Sequence, residues 1–185
     1  MKVGADRIRD LVLSLRNFSR LDEAEMKPVD IHEGIDNTLL ILQHRLKEKA
    51  GYPVIQAIKN YGQLPLINCY PGQLNQVFMN LLSNAIDALE SSEVSKIPTL
   101  IIRICTELND LGYITIRIAD NGPGMSKEVL SRLFDPFFTT KPIGKGTGLG
   151  LSISYQIVVE KHEGTLNCYS ELGKGTEFVV TLPQR

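Results

Sequence analysis

The stretch from Leu74 to Leu89, LNQVFMNLLSNAIDAL, constrains this chain more than any other. Pro71 and Gly72 open it as a helix start, and Leu74, Val77, Phe78, Leu81, Leu82, Ala85, Ile86 and Ala88 would bury most of its circumference. Such a helix belongs in a core. Yet Gln76, Asn80, Asn84 and Asp87 recur at steps of four, four and three, so their side chains stack along one line of the cylinder. An amide buried without partners costs roughly 2 kcal/mol or more, so this seam must face something polar. Two readings stand. The seam is a network satisfied inside the fold, or it is a wall against a nucleotide and its metal, with Asn84 offering an oxygen to Mg²⁺, a hard ion that takes oxygen ligands.

The rest of the chain sets the setting for that helix. At 185 residues it has room for one well-cored domain and a small appendage, and 43% hydrophobic content with a formal net charge of −1 gives no basic bias toward nucleic acid. No apolar run is long enough to span a bilayer, which leaves open a membrane anchor upstream in a longer protein. Cys69, Cys105 and Cys168 are widely separated and lack metal-ligand spacing, so buried, reduced thiols of a cytoplasmic protein are expected.

From Ala5 to Leu21 the apolar residues Ile8, Leu11, Leu15 and Phe18 form a bundle or coiled-coil seam, followed by a charged hinge from Leu21 to Lys27 and a break at Pro28. The seam has no evident partner in this polypeptide, so it is a truncated element or a dimerisation helix. Asp30 and Glu33 make a capping pattern ahead of an amphipathic helix through Ile35, Leu39, Leu42 and Leu46 that is expected to end near Gly51. Val54 to Tyr61 and Leu66 to Tyr70 are β-prone. Leu100, Ile102 and Ile104, then Ile114, Ile116 and Ile118, alternate on two arms of a hairpin covered on one face. Ser126 caps a short helix, and Phe134 to Thr147 has no period, which is typical of functional or disordered loops. A helix from Gly148 to His162 with Leu151, Tyr155 and Val158 as its buried stripe, ended by Gly164, leads into a last hairpin around Gly173-Lys174-Gly175. This order implies an α+β fold, an α/β sandwich whose mixed sheet is covered on one face by helices.

Three further stretches carry chemistry. Asp120-Asn121-Gly122-Pro123-Gly124 follows a strand, and Asp120 is an acceptor suited to the exocyclic amine of adenine, although these residues also form plain turns. Gly144, Gly146, Gly148 and Gly150 alternate straight into a helix, where exposed amides and close backbone approach suit phosphate; a flexible linker is the plainer alternative. Phe134, Phe137 and Phe138 form a buried plug or a lid, and Lys141 beside them either neutralises phosphate or is simply solvated.

Together these stretches resemble, in order and content, the motifs of the superfamily of gyrase, the ninety-kilodalton heat-shock chaperone, histidine kinases and MutL. The sequence resembles the catalytic and ATP-binding domain of sensor histidine kinases. Asn80 to Leu89 looks like the N box, Asp120 to Gly124 the G1 box, Phe134 to Lys141 the F box and Gly144 to Leu151 the G2 box, with GKGTEF from Gly173 to Phe178 similar to the final glycine-rich strand. The resemblance covers residues 27–185 and implies a Bergerat-type fold binding Mg-ATP, with ATP and Mg²⁺ as cofactors. It implies metal contacts from Asn84 and Asn80, adenine contact from Asp120, and nucleotide contacts from Asp87, Gly122, Gly124, Phe134 and Thr176. Gly144, Gly146, Thr147, Gly148 and Leu149 would surround the phosphates, and Asn80 and Lys141 would serve catalysis.

The ATPase branches of the superfamily carry a glutamate base where this chain has Asn80, which cannot take a proton at neutral pH. Transfer to a neutral imidazole needs mainly positioning and charge neutralisation. Residues 1–26 resemble the end of the second helix of the dimerisation and phosphoacceptor hairpin plus hinge. The resemblance therefore implies a cytoplasmic kinase core whose acceptor histidine lies on a hairpin absent from this chain, with a response regulator and a homodimeric whole protein as partners. His32 and His44 are expected at the surface, and His162 at a helix C-terminus favoured by the dipole. The rivals are a serine kinase of the anti-sigma-factor type and an ATP-gated interaction module without transfer activity.

Overall fold

Ile114, Ile116 and Ile118 point to one side of their strand and are all but fully buried, and the whole sheet is built on that stripe. The computed structural model describes residues 25–47, 54–91, 97–141 and 147–184. The expected helix at 5–21, most of the hinge after it, and Gly144 and Gly146 lie outside these residues.

Strand β1 (Lys27–Val29) pairs antiparallel with β3 (Ile67–Cys69) as a separate ribbon. The main sheet contains β2 (Ile55–Tyr61), β4 (Leu100–Leu108), β5 (Tyr113–Asp120), β6 (Thr165–Glu171) and β7 (Gly175–Pro183), in the order β2-β4-β5-β7-β6. Only β2 and β4 run parallel, so the sheet is mixed, as expected. Its register sets Ile104 against Ile118 and Ile118 against Phe178, one continuous apolar layer. Helices α1 (Ile31–Leu46) and α2 (Pro71–Leu89) lie on that layer, with Phe78, Leu81, Leu82 and Ile86 of α2 buried in it. Leu89 completes this face, while Ala88 is half-buried toward a cleft.

Asp30 caps α1 by accepting from the His32 amide at 2.8 Å. The helix stops at Leu46, short of Gly51, because Lys47 is already extended. Ser126 caps α3 (Lys127–Arg132), as expected. Helix α4 (Gly150–Tyr155) runs on as a π-helical turn over Gln156–Lys161. The i→i+5 bonding of that turn rotates the register. Ser152, Ser154, Ile157 and Val158 are buried, Leu151 packs half-buried against the core and Tyr155 is exposed, so Tyr155 is the member of the expected stripe that stays out. The left-handed residue that closes the helix is Glu163, at φ 53°, rather than Gly164.

Two histidines depart from expectation. His162 is buried, its Nδ1 bonded to the Ile157 carbonyl at 2.8 Å and its Nε2 accepting from the Tyr70 amide at 3.1 Å. An imidazole that donates from one nitrogen and accepts at the other is neutral, so the helix dipole is not what places it. His32 is half-buried, 2.8 Å from the Thr106 hydroxyl and stacked on Tyr61, where a surface position was expected; His44 is exposed. Cys69 is buried and Cys105 and Cys168 half-buried, all free thiols. Burial pushes Cys69 and Cys168 up to about 12, which keeps both protonated and unreactive.

His162→Leu strands the Tyr70 amide, while the Ile157 carbonyl keeps the backbone amide of residue 162, and an orphaned buried amide costs about 1–3 kcal/mol. Urea unfolding should register a loss of ~2 kcal/mol or more, with the m-value unchanged.

Candidate functional site

Because α2 buries its apolar sides against the sheet and α1, its polar seam faces outward into a cleft of about 1370 Å³. Asn80, Asn84 and Asp87 line one wall of it, Asp120 and Thr176 the end at the sheet rim, and Thr147, Gly148 and Gly150 the opposite wall. Gln76 is not among the lining residues. The seam therefore opens on space only over its last three members.

Asn80 donates to the Gly150 carbonyl at 2.9 Å and to the Ser154 hydroxyl at 3.1 Å, tying α2 to the start of α4. Its Oδ1 stays available, 3.3 Å from where a Cβ on Gly150 would stand. Asn84 offers Oδ1 to the Lys141 ammonium at 3.1 Å, and Lys141 also pairs with Asp87. An amide oxygen already holding a cation is suited to a hard metal ion as well, so the donor set fits Mg²⁺. Arg45 of α1, which no sequence pattern singles out, reaches the other Asp87 oxygen at 2.5 Å, Ser83 at 3.1 Å, and Glu90. Burial lowers the Arg45 pKa, but the bonds to Glu90 and Asp87 outweigh it and the net shift is upward.

Asp120 sits within β5 opposite Ile102 and Thr176, so its side chain continues the inward stripe of Ile114, Ile116 and Ile118. Burial raises its pKa to about 6, against the backbone amides of Gly122 and Thr176, which pull it down. Gly122 approaches Asp120 and Ala88 closely. Gly124 adopts φ +71° with the Glu171 carbonyl 2.0 Å from where a Cβ would be, so only glycine fits there. Thr176 Oγ1 lies 2.9 Å from the Ser170 hydroxyl.

The loop after α3 is clasped to the glycine stretch. Phe137, at φ 66°, donates its amide to the Gly148 carbonyl at 2.9 Å, and Gly148 at φ +66° leaves no room for a Cβ against the Phe137 backbone. Phe138 lines the cleft, and its ring lies 4.5 Å from the Arg132 guanidinium. Phe134 packs instead on Tyr155, at 5.4 Å between ring centroids, and is not a lining residue. Leu149 is likewise not among them; its amide donates to the Thr147 hydroxyl at 3.3 Å.

A mixed sheet under two helices, with a polar helix seam facing a glycine-clasped loop and a buried aspartate at the strand end, defines a catalytic ATP-binding domain of the α/β-sandwich type. Residues 69–185 match the family described as histidine kinase-, DNA gyrase B-, and HSP90-like ATPase. The chain is 34% identical to the sensor kinase CckA of Brucella abortus over 191 residues, covering 100% of this chain and 20% of that protein. It is 43% identical to sporulation kinase E of Bacillus subtilis over 122 residues, 66% of this chain and 15% of that protein. The chain thus spans a fifth or less of these two relatives' length. Its fold matches the nucleotide-free catalytic domain of the histidine kinase ThkA, with a TM-score of 0.71 at 25% identity over 86% of this chain and 96% of that one. Full-length ShkA in complex with AMPPNP gives a TM-score of 0.71 at 27% identity, over 98% of this chain and 36% of that one. The chain belongs to the histidine kinase-, DNA gyrase B-, and HSP90-like ATPase family, and its named relatives are sensor histidine kinases. Among the described residues no helix is long and apolar enough to cross a membrane.

The Asp120 shift carries two signs. A carboxyl whose folded pKa lies above its ordinary value contributes stability that is fully present below about pH 4 and lost as pH rises through about 6. If Asp120 takes the adenine amine as the resemblance implies, nucleotide binding would run the other way, since the ionised carboxylate is the stronger acceptor. Nucleotide titrations should show affinity rising through about pH 6 and levelling above it, weaker by roughly tenfold one unit below the midpoint, and Asp120→Ala should bind weakly and flatten the profile.

Proposed function

We propose that this chain is the ATP-binding catalytic core of a two-component sensor histidine kinase. It transfers the γ-phosphate of Mg-ATP to a histidine on a dimerisation hairpin. The observation that carries the reading is the α2 seam, where Asn80, Asn84 and Asp87 meet Lys141 and the Gly148–Gly150 backbone across one cleft. Residues 27–185 form the catalytic domain, and residues 1–26 the end of the hairpin's second helix and the hinge. Residues 1–26 contain no histidine, and on this reading the acceptor comes from a separate hairpin. The whole protein acts as a homodimer in the cytoplasm and passes its phosphoryl group to a response regulator.

Each residue has a task. Asp120 accepts from the adenine amine, and Gly122, Gly124 and Thr176 shape its surroundings. Gly144, Gly146, Thr147, Gly148 and Leu149 are assigned to the phosphates, while Phe134 supports the lid through Tyr155. Asn84 and Asn80 would hold Mg²⁺ through their amide oxygens, and the ion would supply positive charge against the phosphates. Lys141 adds a second positive charge at that end. The acceptor imidazole attacks phosphorus through a neutral nitrogen, a P–N bond forms as the P–O bond to ADP breaks, and the imidazole proton leaves to solvent. Asn80 has no basic atom, so the site orients the incoming group rather than deprotonating water.

Incubating the chain with Mg-ATP and a separate histidine-bearing hairpin should put acid-labile phosphate on that hairpin. Acid-stable phosphate on serine, or binding without transfer, would overturn the assignment. Asn84→Ala should lose the Mg²⁺-dependent part of ATP affinity, read by titration with and without the metal; an unchanged titration removes Asn84 from the site.

A further inference from the structure

Arg45 lies in the last turn of α1, and its side chain is only 19% exposed. It is not a cleft residue. Its guanidinium fork nevertheless engages Asp87 Oδ1 and the Ser83 hydroxyl on α2 and Glu90 at that helix's C-cap. Asp87 Oδ2 holds Lys141, whose ammonium also rests on Asn84 Oδ1. One carboxylate therefore connects a cation behind the cleft wall to a cation inside it.

We propose that Arg45 is a positioning residue for Lys141: it fixes Asp87 from behind, so that the free oxygen aims the ammonium at the end of the cleft where Asn84 lies. The inference rests on the ATP-site reading and names the element, α1, that sets where the loop's positive charge sits. Asp87 and Glu90 are one helical turn apart and share a face of α2. Without the guanidinium they would confront a single ammonium as two carboxylates, and Asp87 would be free to turn. Lys141 would then be drawn to the carboxylates and away from a phosphate. A rigid five-donor fork meets three acceptors at once, which an ammonium on a flexible stem does not.

The effect belongs to the phosphates and not to the base. In the full chain, Arg45→Met should weaken Mg-ATP binding by roughly tenfold, the scale of one lost charge-assisted bond, and leave AMP binding unchanged. Lys141→Met should cost about as much, and the double variant no more than either single one, because Arg45 acts through Lys141. Arg45→Lys should recover only part of the loss. Additive losses, an equal loss of AMP affinity, unchanged ATP binding or full recovery by Arg45→Lys would each overturn the proposal. If Arg45→Met does not fold, the same cycle run with Arg45→Lys and Lys141→Met decides it by the same non-additivity. Failure of the unaltered chain to bind ATP at all would instead strike the site reading, and this inference with it.

Discussion

The two bonds from the Asn80 amide set the width of the cleft. Helix α2 cannot move, since Leu81 and Leu82 beside Asn80 are locked into the core. Whatever Asn80 grips is therefore fixed in place. It grips the first turn of α4, through the Gly150 carbonyl and Ser154, and the Ser154 hydroxyl already donates to that same carbonyl. Ser154 is fully buried, so its remaining lone pair depends on Asn80. A carboxylate at position 80 would set an acceptor against the Gly150 carbonyl and leave the wall unbonded. The side chain that removes a base from the site is thus also the one that positions the glycine loop.

From that anchor the clasp follows outward. Gly148 lies two residues before Gly150, and its carbonyl takes the Phe137 amide, so fixing α4 also fixes the aromatic loop. Phe137 accepts a left-handed backbone, uncommon for a bulky residue, and stays 74% exposed as the cost of that bond. Phe138 is then turned into the cleft and Phe134 out onto Tyr155.

Much of this was legible in the residues, and the limits have physical causes. Helical spacing exposed both faces of α2, because apolar burial and a polar seam on one helix leave a pattern in the chain. The hairpin alternation exposed the sheet. It also held more than a turn at Asp120, since positions 114, 116, 118 and 120 share one face and a carboxyl on that face must be buried. Phe134 and Phe138 could not be told apart, because a loop without a period gives no direction to a side chain. The π turn that follows Tyr155 has no local signature. Arg45 was invisible because its partner Asp87 is 42 positions away and meets it only when α1 packs on α2.

On the proposed function, electrostatics favours nucleotide that arrives as a metal chelate. Asp87, Glu90 and Asp120 all line it, and each would repel a bare triphosphate. Arg45 answers part of that charge from behind, and Lys141 answers part from the loop. If Asn84 and Asn80 hold Mg²⁺ as proposed, they would give it two neutral amide oxygens, too few to replace its water, so phosphate oxygens would complete much of its shell. The carboxylates that repel a bare triphosphate would attract the ion, and the ion in turn would offset the charge of the phosphates it accompanies.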